Sequence, residues 1–420
     1  MAQRIEVQVC VVGAGPVGAT LAATLAAGGV TVAVVDAAPL PPMELPAFDG
    51  RAYAIARTSR NLLAAAGVWD RLPAPPCAIG EIRVSDGRPG ERASPLHLHF
   101  SAAELGEEAF GWMVEARSLR VALNRVLFDL PGARLFAPAR ATVAREENGA
   151  TVTLEDGTVI AAGLVVGAEG RRSPLRQSAG IGTAQFDYRQ TGIVLAIAHE
   201  KPHRGVALEQ FLPNGPFAQL PLSGTPEHPH ASAIVWSERR ALADRFLAMD
   251  DAALAREAAR RLGNHLGAVR VIGQRWSYPL AAMQASRFTD VRLALVGDAA
   301  HGIHPIAGQG LNLGFRDVAA LAELLVEADN AGTDPGSPAL LARYQAARRP
   351  DALLMLGATH ALERLFGNDF APVRVARRLG IAAVDRSPTL KRFFARRAMG
   401  FGAPGALSGL LDGRGLLGAG

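Results

Sequence analysis

Apolar residues in this chain gather in short runs separated by glycine, proline and charge. Residues 5–12 (IEVQVCVV) are a β-rich apolar run, 13–18 (GAGPVG) a glycine turn, and 16–27 an alanine-rich stretch. Gly28 and Gly29 end that stretch, and 30–35 form a second apolar run stopping at Asp36. The segment predicts a βαβ unit. Thr58 or Ser59 is the predicted cap of a helix running through Ala66, and Ser118 the cap of a helix over LRVALNRVLFDL. Residues 73–97 are broken by five prolines and predict loop with short strands. Residues 134–166 alternate around the turn signals ENGA and EDG, which predicts a β-meander returning to a strand at Leu164–Gly167. Residues 190–285 mix alternating runs with one helix near 250–262, and no phosphate loop occurs there, so this block reads as a second domain. The run 291–296 (VRLALV) predicts another buried strand, followed by a helix starting near Leu311 and mostly helix beyond.

Composition narrows the class. The chain has 420 residues, 49% of them hydrophobic and 20% charged, a globular balance. Glycines and Pro16 interrupt the long apolar stretch from Val9 to Val35, and no unbroken run of about 18 apolar residues exists, so neither a signal peptide nor a membrane span is expected. Cys10 and Cys77 fit no disulfide framework or metal-ligand spacing, which points to a reducing, cytoplasmic compartment. The formal net charge of +5 is uneven: residues 371–400 hold eight Arg and Lys against Asp385 alone. No nucleic-acid-reading element accompanies that patch, so no nucleic-acid partner is expected.

Three strand exits carry candidate chemistry. Gly13, Gly15 and Gly18 fit GxGxxG between a strand and a helix, and Asp36 ends the next strand. Glycines there let a pyrophosphate approach the backbone, the helix N-terminus faces its charge, and the acid is placed for a ribose hydroxyl. The plain alternative is a tight turn holding no ligand. The second exit is LVVGAEGRRSPLR (164–176), equally readable as a surface turn with solvated arginines. The third, GDAAHGIHPIAGQGLNLGFRDV (297–318), puts Asp298 after a strand and a glycine-rich loop before a helix whose first N–H groups are unpaired. His301 and His304 are three residues apart but lack a third metal ligand, so no metal is expected. No Ser/His/Asp nucleophile signature is present.

These three exits together resemble the flavin-dependent aromatic hydroxylases of the para-hydroxybenzoate hydroxylase type, over about residues 5–370. The third exit, with DGRAYAIARTSRNLLAAAGVW (49–69), VEARSLRVAL (114–123) and YQAARRPDALLMLGATHALERLF (344–366), is most similar to the branch acting on the ring of ubiquinone precursors. The resemblance implies an α/β fold: a Rossmann-like FAD domain (1–72, 111–180, 286–330), an inserted mixed β-sheet substrate domain (73–110, 181–285), and C-terminal helices with a basic tail (331–420). It implies that Gly13, Gly15, Gly18 and Asp36 hold the adenosine and pyrophosphate of FAD, with Arg51 and Arg117 against the phosphates or the flavin edge. Glu169 and Gly297 belong to the second and third exits, and Asp298 takes hydroxyls of the ribityl or ribose chain. Pro305, Gly308, Gly310 and Asn312 border the ring, with His304 nearby. NAD(P)H is implied as a transient reductant, and O2 as the source of oxygen through a flavin hydroperoxide. The substrate implied is a polyprenyl phenol or benzoquinol. The family usually has Asp-Gly where this chain has Glu169-Gly170, and often an amide where it has Ala116. The pattern names no catalytic base; one must come from the middle domain, whose sheet should roof the substrate. Two rival readings share the fold: a flavin oxidoreductase acting on a prenyl lipid without O2, and a catalytically silent FAD-holding subunit. Leu390, Phe393, Phe394, Met399 and Phe401 stand among the C-terminal basic residues. That pattern suggests docking on the inner face of a membrane, or on a biosynthetic complex, against the plainer reading of solvated arginines.

Overall fold

The computed structural model describes residues 3–40, 46–90, 97–367, 380, 383–401 and 409–415. The chain opens with β1 (Arg4–Val12), α1 (Pro16–Ala27) and β2 (Val32–Val35), then β3 (Ala52–Ala56) and α2 (Arg57–Ala65). Next come β4 (Cys77–Ile79), β5 (Glu81–Asp86), β6 (Leu98–Ser101), β7 (Gly111–Glu115) and α3 (Ala116–Asp129). β8 (Ala133–Phe136), β9 (Ala141–Glu146), β10 (Gly149–Leu154), β11 (Val159–Gly167) and α4 (Pro174–Ser178) follow. The middle block holds β12 (Thr183–His199), β13 (Val206–Leu212), β14 (Gly215–Leu222), β15 (Ala231–Arg239), α5 (Arg240–Leu247), α6 (Asp251–Leu262) and β16 (Val269–Ala285). The chain then runs through β17 (Thr289–Asp290), β18 (Leu293–Leu295), β19 (His301–Gly302), α7 (Gln309–Asn330) and α8 (Pro338–Phe366). A further helix spans Pro388–Ala398.

One sheet has the order β17-β18-β11-β1-β2-β8, with β9 and β10 added beside β11. Its centre is parallel: β1 pairs with β11 and β2, and β11 with β18. Buried on both faces, the central parts of these strands read as the continuous apolar runs VCV, VAVV and LAL. The second sheet has the order β19-β16-β12-β15-β14-β13-β5-β6 and is mostly antiparallel. Its two faces differ. Ile193, Leu195, Ile197, Phe217, Ile234 and Trp236 pack with Ala243, Leu254 and Leu262 of α5 and α6. By strand alternation, Gly192, Val194, Ala218, Leu220 and Val235 look the other way, toward the parallel sheet's strand exits. A three-stranded sheet, β3-β7-β4, joins the two.

Three local expectations need correction. Thr58 and Ser59 lie buried inside α2, whose cap is Ala56. The first N–H groups of α2 donate instead to the backbone oxygens of Phe110 and Met399, so no side-chain cap is needed. Ser118 likewise lies inside α3, where its hydroxyl accepts from Ala74 N–H at 3.4 Å. The middle block has two helices rather than one: α5 precedes α6 and packs Phe246 onto Trp236 at 4.3 Å between ring centres. Its eight residues are too few for a helical period to stand out.

Candidate functional site

A cavity of about 1290 Å³ runs along the C-terminal ends of β1, β2, β11 and β18 and continues beneath the second sheet. Ligands of open α/β sheets bind at such strand ends. Gly13, Gly15, Asp36, Glu169, Gly170, Gly297, Asp298, Pro305, Gly308 and Gly310 all line it, so the three exits do converge. Its roof is Gly192, Val194, Leu220, Val235, Tyr278 and Leu280.

The backbone at the first exit demands glycine. Gly13 has φ of +107°, and a Cβ there would lie 2.5 Å from the carbonyl oxygen of Ala168. At Gly18 a Cβ would lie 2.0 Å from the oxygen of Gly13. These contacts bring β11 and α1 tightly against the turn. Gly15 stays open on its cavity side, where a Cβ would meet no atom within 4 Å. The Asp36 carboxylate accepts from Ala14 N–H at 2.6 Å and Ala38 N–H at 2.8 Å, which ties the end of β2 to the turn.

Two helix N-termini face the cavity without side-chain caps: α1 behind Gly15, and α7 behind Gly308. Neither has an acidic residue in its first turn. Both therefore present free N–H groups and a positive dipole end to whatever occupies the cavity. A cradle a Cβ would fill, an acid at the end of β2 and two uncapped helix starts fit a dinucleotide, and among the described residues they are compatible with the FAD expected from sequence.

At the second exit, Glu169 turns back to its own helix. Its Oε2 accepts from Ser173 Oγ at 2.6 Å and from Leu175 N–H at 3.2 Å. Burial raises the Glu169 pKa, with Ser173, Leu175 and Arg176 pulling against it. The half-exposed Asp298 carboxylate faces the Arg171 guanidinium at 3.4 Å, and Arg171 also donates to the Ala281 oxygen of the roof strand.

Beneath the third exit lies a buried polar network. Asp317 Oδ2 accepts from Gly297 N–H at 2.9 Å and lies 2.6 Å from His301 Nε2, and Oδ1 accepts from Arg348 Nε at 2.8 Å. Arg316 and Arg348 both pair with Asp351, at 3.3 and 2.8 Å. Burial alone would raise the Asp317 carboxyl, but His301 and Arg348 outweigh it and hold its pKa below the ordinary value.

Several expected residues stand apart from the cavity wall. Arg51 pairs with Asp49 at 2.6 Å and lies over the Trp276 ring at 4.1 Å. Arg117 pairs with Glu115 at 2.7 Å. Asn312 is buried, accepting from Ala56 N–H at 2.9 Å and donating to the oxygens of Ala54 at 2.9 Å and Gly308 at 3.3 Å, so it clamps β3 to the start of α7. His304 turns away from His301: its Nε2 meets Gln190 Oε1 at 3.1 Å and its ring packs edge-on to Tyr188. Burial pushes its pKa down to about 4, so it is neutral at physiological pH.

The sequence pattern did not single out Arg120, whose guanidinium reaches the Ala14 oxygen at 3.5 Å, or the Asp317–Arg348 pair. Arg120 lies one helical turn beyond Arg117, a spacing visible in the sequence. Asp317 and Arg348 are 31 positions apart, and no local pattern links them.

Fold and cavity together define an α/β protein whose three strand exits open on one cavity beneath a second, mostly antiparallel sheet, the architecture of a dinucleotide-binding protein. Residues 6–358 match the family described as FAD binding domain, and the chain belongs to that family. Ubiquinone hydroxylase UbiL of Rhodospirillum rubrum is 52% identical over 393 residues, 93% of this chain and 89% of that protein. The 3-demethoxyubiquinol 3-hydroxylase of Escherichia coli K12 is 36% identical over 395 residues, 94% and 98% of the two chains. Among solved structures, p-nitrophenol 4-monooxygenase PnpA from Pseudomonas putida DLL-E4 superposes with a TM-score of 0.75 at 19% identity, covering 94% and 98%, a likeness of fold. FAD is thus the cofactor of this protein.

Proposed function

We propose that the cavity is the place where FAD and an aromatic ring meet. The protein is an FAD-dependent monooxygenase with NAD(P)H and O2 as co-substrates, and the ring is a polyprenyl phenol or benzoquinol precursor of ubiquinone. The carrying observation is the continuity of one cavity from Gly13 and Asp36, past the start of α7, to the apolar roof at Val194, Leu220 and Val235. Its volume of about 1290 Å³ exceeds the roughly 300–1,000 Å³ of an ordinary small-molecule site, so a second ligand fits beside the cofactor. The named relatives are ubiquinone hydroxylases, which supports both the reaction and the substrate class.

FAD, when bound, supplies the transfer of one oxygen atom from O2 to the ring after NAD(P)H has reduced it. The residues of this chain bind and orient. The Gly13–Gly18 turn and the start of α1 take the pyrophosphate, Asp36 a ribose hydroxyl, and Asp298 with Arg171 hydroxyls of the ribityl chain. Pro305, Gly308 and Gly310 border the ring, and the dipole of α7 favours negative charge there. Arg51, Arg117 and Asn312 act through their neighbours by fixing the β3 wall. The roof excludes water with apolar side chains. Residues 73–110 and 181–285 serve as the substrate domain, and 1–72, 111–180 and 286–330 hold the cofactor. A nicotinamide docks transiently, since the sequence repeats the GxGxxG spacing only at Gly400, Gly402 and Gly405 and at Gly413, Gly415 and Gly418, outside any predicted βαβ unit.

The test is purification with FAD counted per chain, followed by NAD(P)H oxidation with and without a short-chain prenylphenol under isotopically labelled O2. One FAD per chain, phenol-stimulated oxidation and labelled hydroxylated product are expected. Phenol-independent turnover without labelled product would overturn the reading. The ring position follows from product analysis in cells lacking each ubiquinone-ring hydroxylase in turn.

The C-terminal helix supports docking on an anionic membrane surface. Ala395 and Met399 are buried against the core around Met113, while Leu390, Phe393 and Phe394 are exposed beside Arg392 and Arg396. Leu353, Leu354, Leu362 and Leu365 of α8 are exposed as well. No helix among the described residues is long and apolar enough to cross a membrane. Arg374, Arg377 and Arg378 of the basic patch lie outside the described residues. Salt-sensitive sedimentation with anionic vesicles by the full chain, lost in Phe393→Ser/Phe394→Ser, is expected; equal sedimentation of the two would discard membrane docking.

A further inference from the structure

Glu209 stands on the face of the second sheet that looks toward the cavity, a face that also carries Asp86 on the neighbouring strand. Glu209 lies on β13, opposite Ala218 of β14 and Val84 of β5. Ala218 in turn pairs with Val235, and Val235 with Val194, both cavity-lining. Paired residues of neighbouring strands share a face, so Glu209 belongs to the row that roofs the cavity. Two strand spacings, about 10 Å, separate its backbone from that of Val235, and the only side chain between them is the methyl of Ala218. Its neighbours along the strand on this face are Ala207, in the core with Met113, and Phe211, packed on Ile306 of the loop that leads into α7. Glu209 therefore hangs over the ring-side loop.

Among the described residues its carboxyl has no ion pair or hydrogen bond. It is partly accessible, yet strongly desolvated by the groups around it. Burial pushes its pKa up to about 8, with no charged neighbour contributing. The charged and titratable groups on elements packed around it are engaged elsewhere. Asp86 is buried with a partner of its own, and Asp49 and Arg51 pair together. Glu363 of α8 meets Gln190, Arg364 lies over Phe186, and Arg396 and Arg397 of the C-terminal helix lie over Phe401 and Phe393. Tyr278 lines the far side of the roof. A desolvated carboxyl with no structural duty costs stability and is accounted for by a ligand that it serves.

We propose that Glu209 is the catalytic residue that takes the proton of the substrate's ring hydroxyl, an inference that rests on the cavity being an aromatic hydroxylation site. The phenol O–H bond breaks and its proton passes to a Glu209 carboxylate oxygen. The O–H electron pair stays on the phenol oxygen and enriches the ring carbons that accept oxygen from reduced FAD and O2. As aromaticity returns, the attacked carbon releases its hydrogen as a proton, which goes into the water formed from the second oxygen atom of O2, and Glu209 gives its own proton back to a ring oxygen, so the carboxyl is unchanged over a cycle. Ionised, it can take the phenol's proton; protonated, it cannot. The dependent rate therefore rises with pH through about 8.

The experiment compares wild type, Glu209→Gln and Glu209→Asp, all loaded with FAD. Wild-type kcat/KM for a short-chain prenylphenol should rise through pH about 8. Glu209→Gln should keep FAD content and NAD(P)H oxidation, lose hydroxylated product by about 100-fold or more, release hydrogen peroxide instead, and lose the pH step. Glu209→Asp should restore part of the product. A second readout needs no turnover: the Kd of the same prenylphenol, by protein fluorescence, should change near pH 8 in wild type and lose that step in Glu209→Gln. Product formation by Glu209→Gln at the wild-type rate with the step retained would overturn the assignment. If wild type makes no product from any phenol, the monooxygenase reading fails by itself. The binding step then still decides Glu209: its presence only in wild type supports a proton-accepting contact, and its absence from wild type removes it.

Discussion

Asp317→Asn should destabilise the protein by about 3–5 kcal/mol, the range for breaking one partner of a buried ion pair. Asp317 and Arg348 are both essentially inaccessible. With Asp317 and Asp351 ionised, the charges of Arg316 and Arg348 are balanced; without Asp317 the group carries a net buried positive charge. The amide is nearly isosteric, but its nitrogen must face either Arg348 Nε–H or Gly297 N–H, both of which are donors. One of them is then left unsatisfied. A domain holds only about 5–15 kcal/mol, so about a fifth or more of it would be lost. The assay is urea unfolding of the FAD-free protein by tryptophan fluorescence, with FAD titration of the folded variant. FAD affinity should fall too, because Gly297 and His301 belong to the loop that Asp317 anchors. Arg348→Met alone should cost a similar amount, and the double variant clearly less than the sum of the two. The low pKa of Asp317 means its contribution is fully present above the ordinary carboxyl value of 3.8 and decays only below it. A change under about 1 kcal/mol for Asp317→Asn, or strict additivity in the double variant, would refute the reasoning.

Gly13→Ala should abolish FAD retention, since its Cβ would lie 2.5 Å from the Ala168 oxygen at a φ of +107°; cofactor content after gel filtration reads this. Asp298→Ala should weaken FAD by roughly 1.5–3 kcal/mol, the loss of a charged hydrogen bond, while leaving unfolding of the FAD-free protein nearly unchanged, because its partner Arg171 is solvent-accessible. His304, pushed down to about 4, should make stability fall as pH drops from 6.5 toward 4, by about 3 kcal/mol at most. Only the unfolded chain gains a proton on that imidazole in this window, so His304→Phe should flatten the unfolding profile there.

Much of the site was legible in one dimension because strand, turn and helix of each exit are contiguous. Gly13, Gly15 and Gly18 announce a tight turn between strand and helix, and the structure adds the close approach to Ala168 at Gly13 and Gly18 and the open side at Gly15. The placement of Asp36, Asp298, Gly308 and Gly310 on one cavity wall follows from strand ends in a parallel sheet lying side by side. Fold class was legible for the same reason: fully apolar runs mark parallel strands and alternating runs mark the half-buried sheet.

What the sequence by itself determined was therefore the βαβ unit, the glycine turns and the uncapped helix starts, features in which a residue acts on near neighbours. The tertiary structure alone decided the rest. Asn312 became a clamp on β3 because that strand lies beside α7. Asp317 met Arg348 only because α7 and α8 pack together. Glu209 reads in sequence as an unremarkable acid in VALEQFL; strand order and register put it on the same sheet face as Val194, three strands away. The physical reason is that a side chain's energy depends on what surrounds it in space. Burial and charge pairing across distant segments are set by packing, which no window of sequence contains.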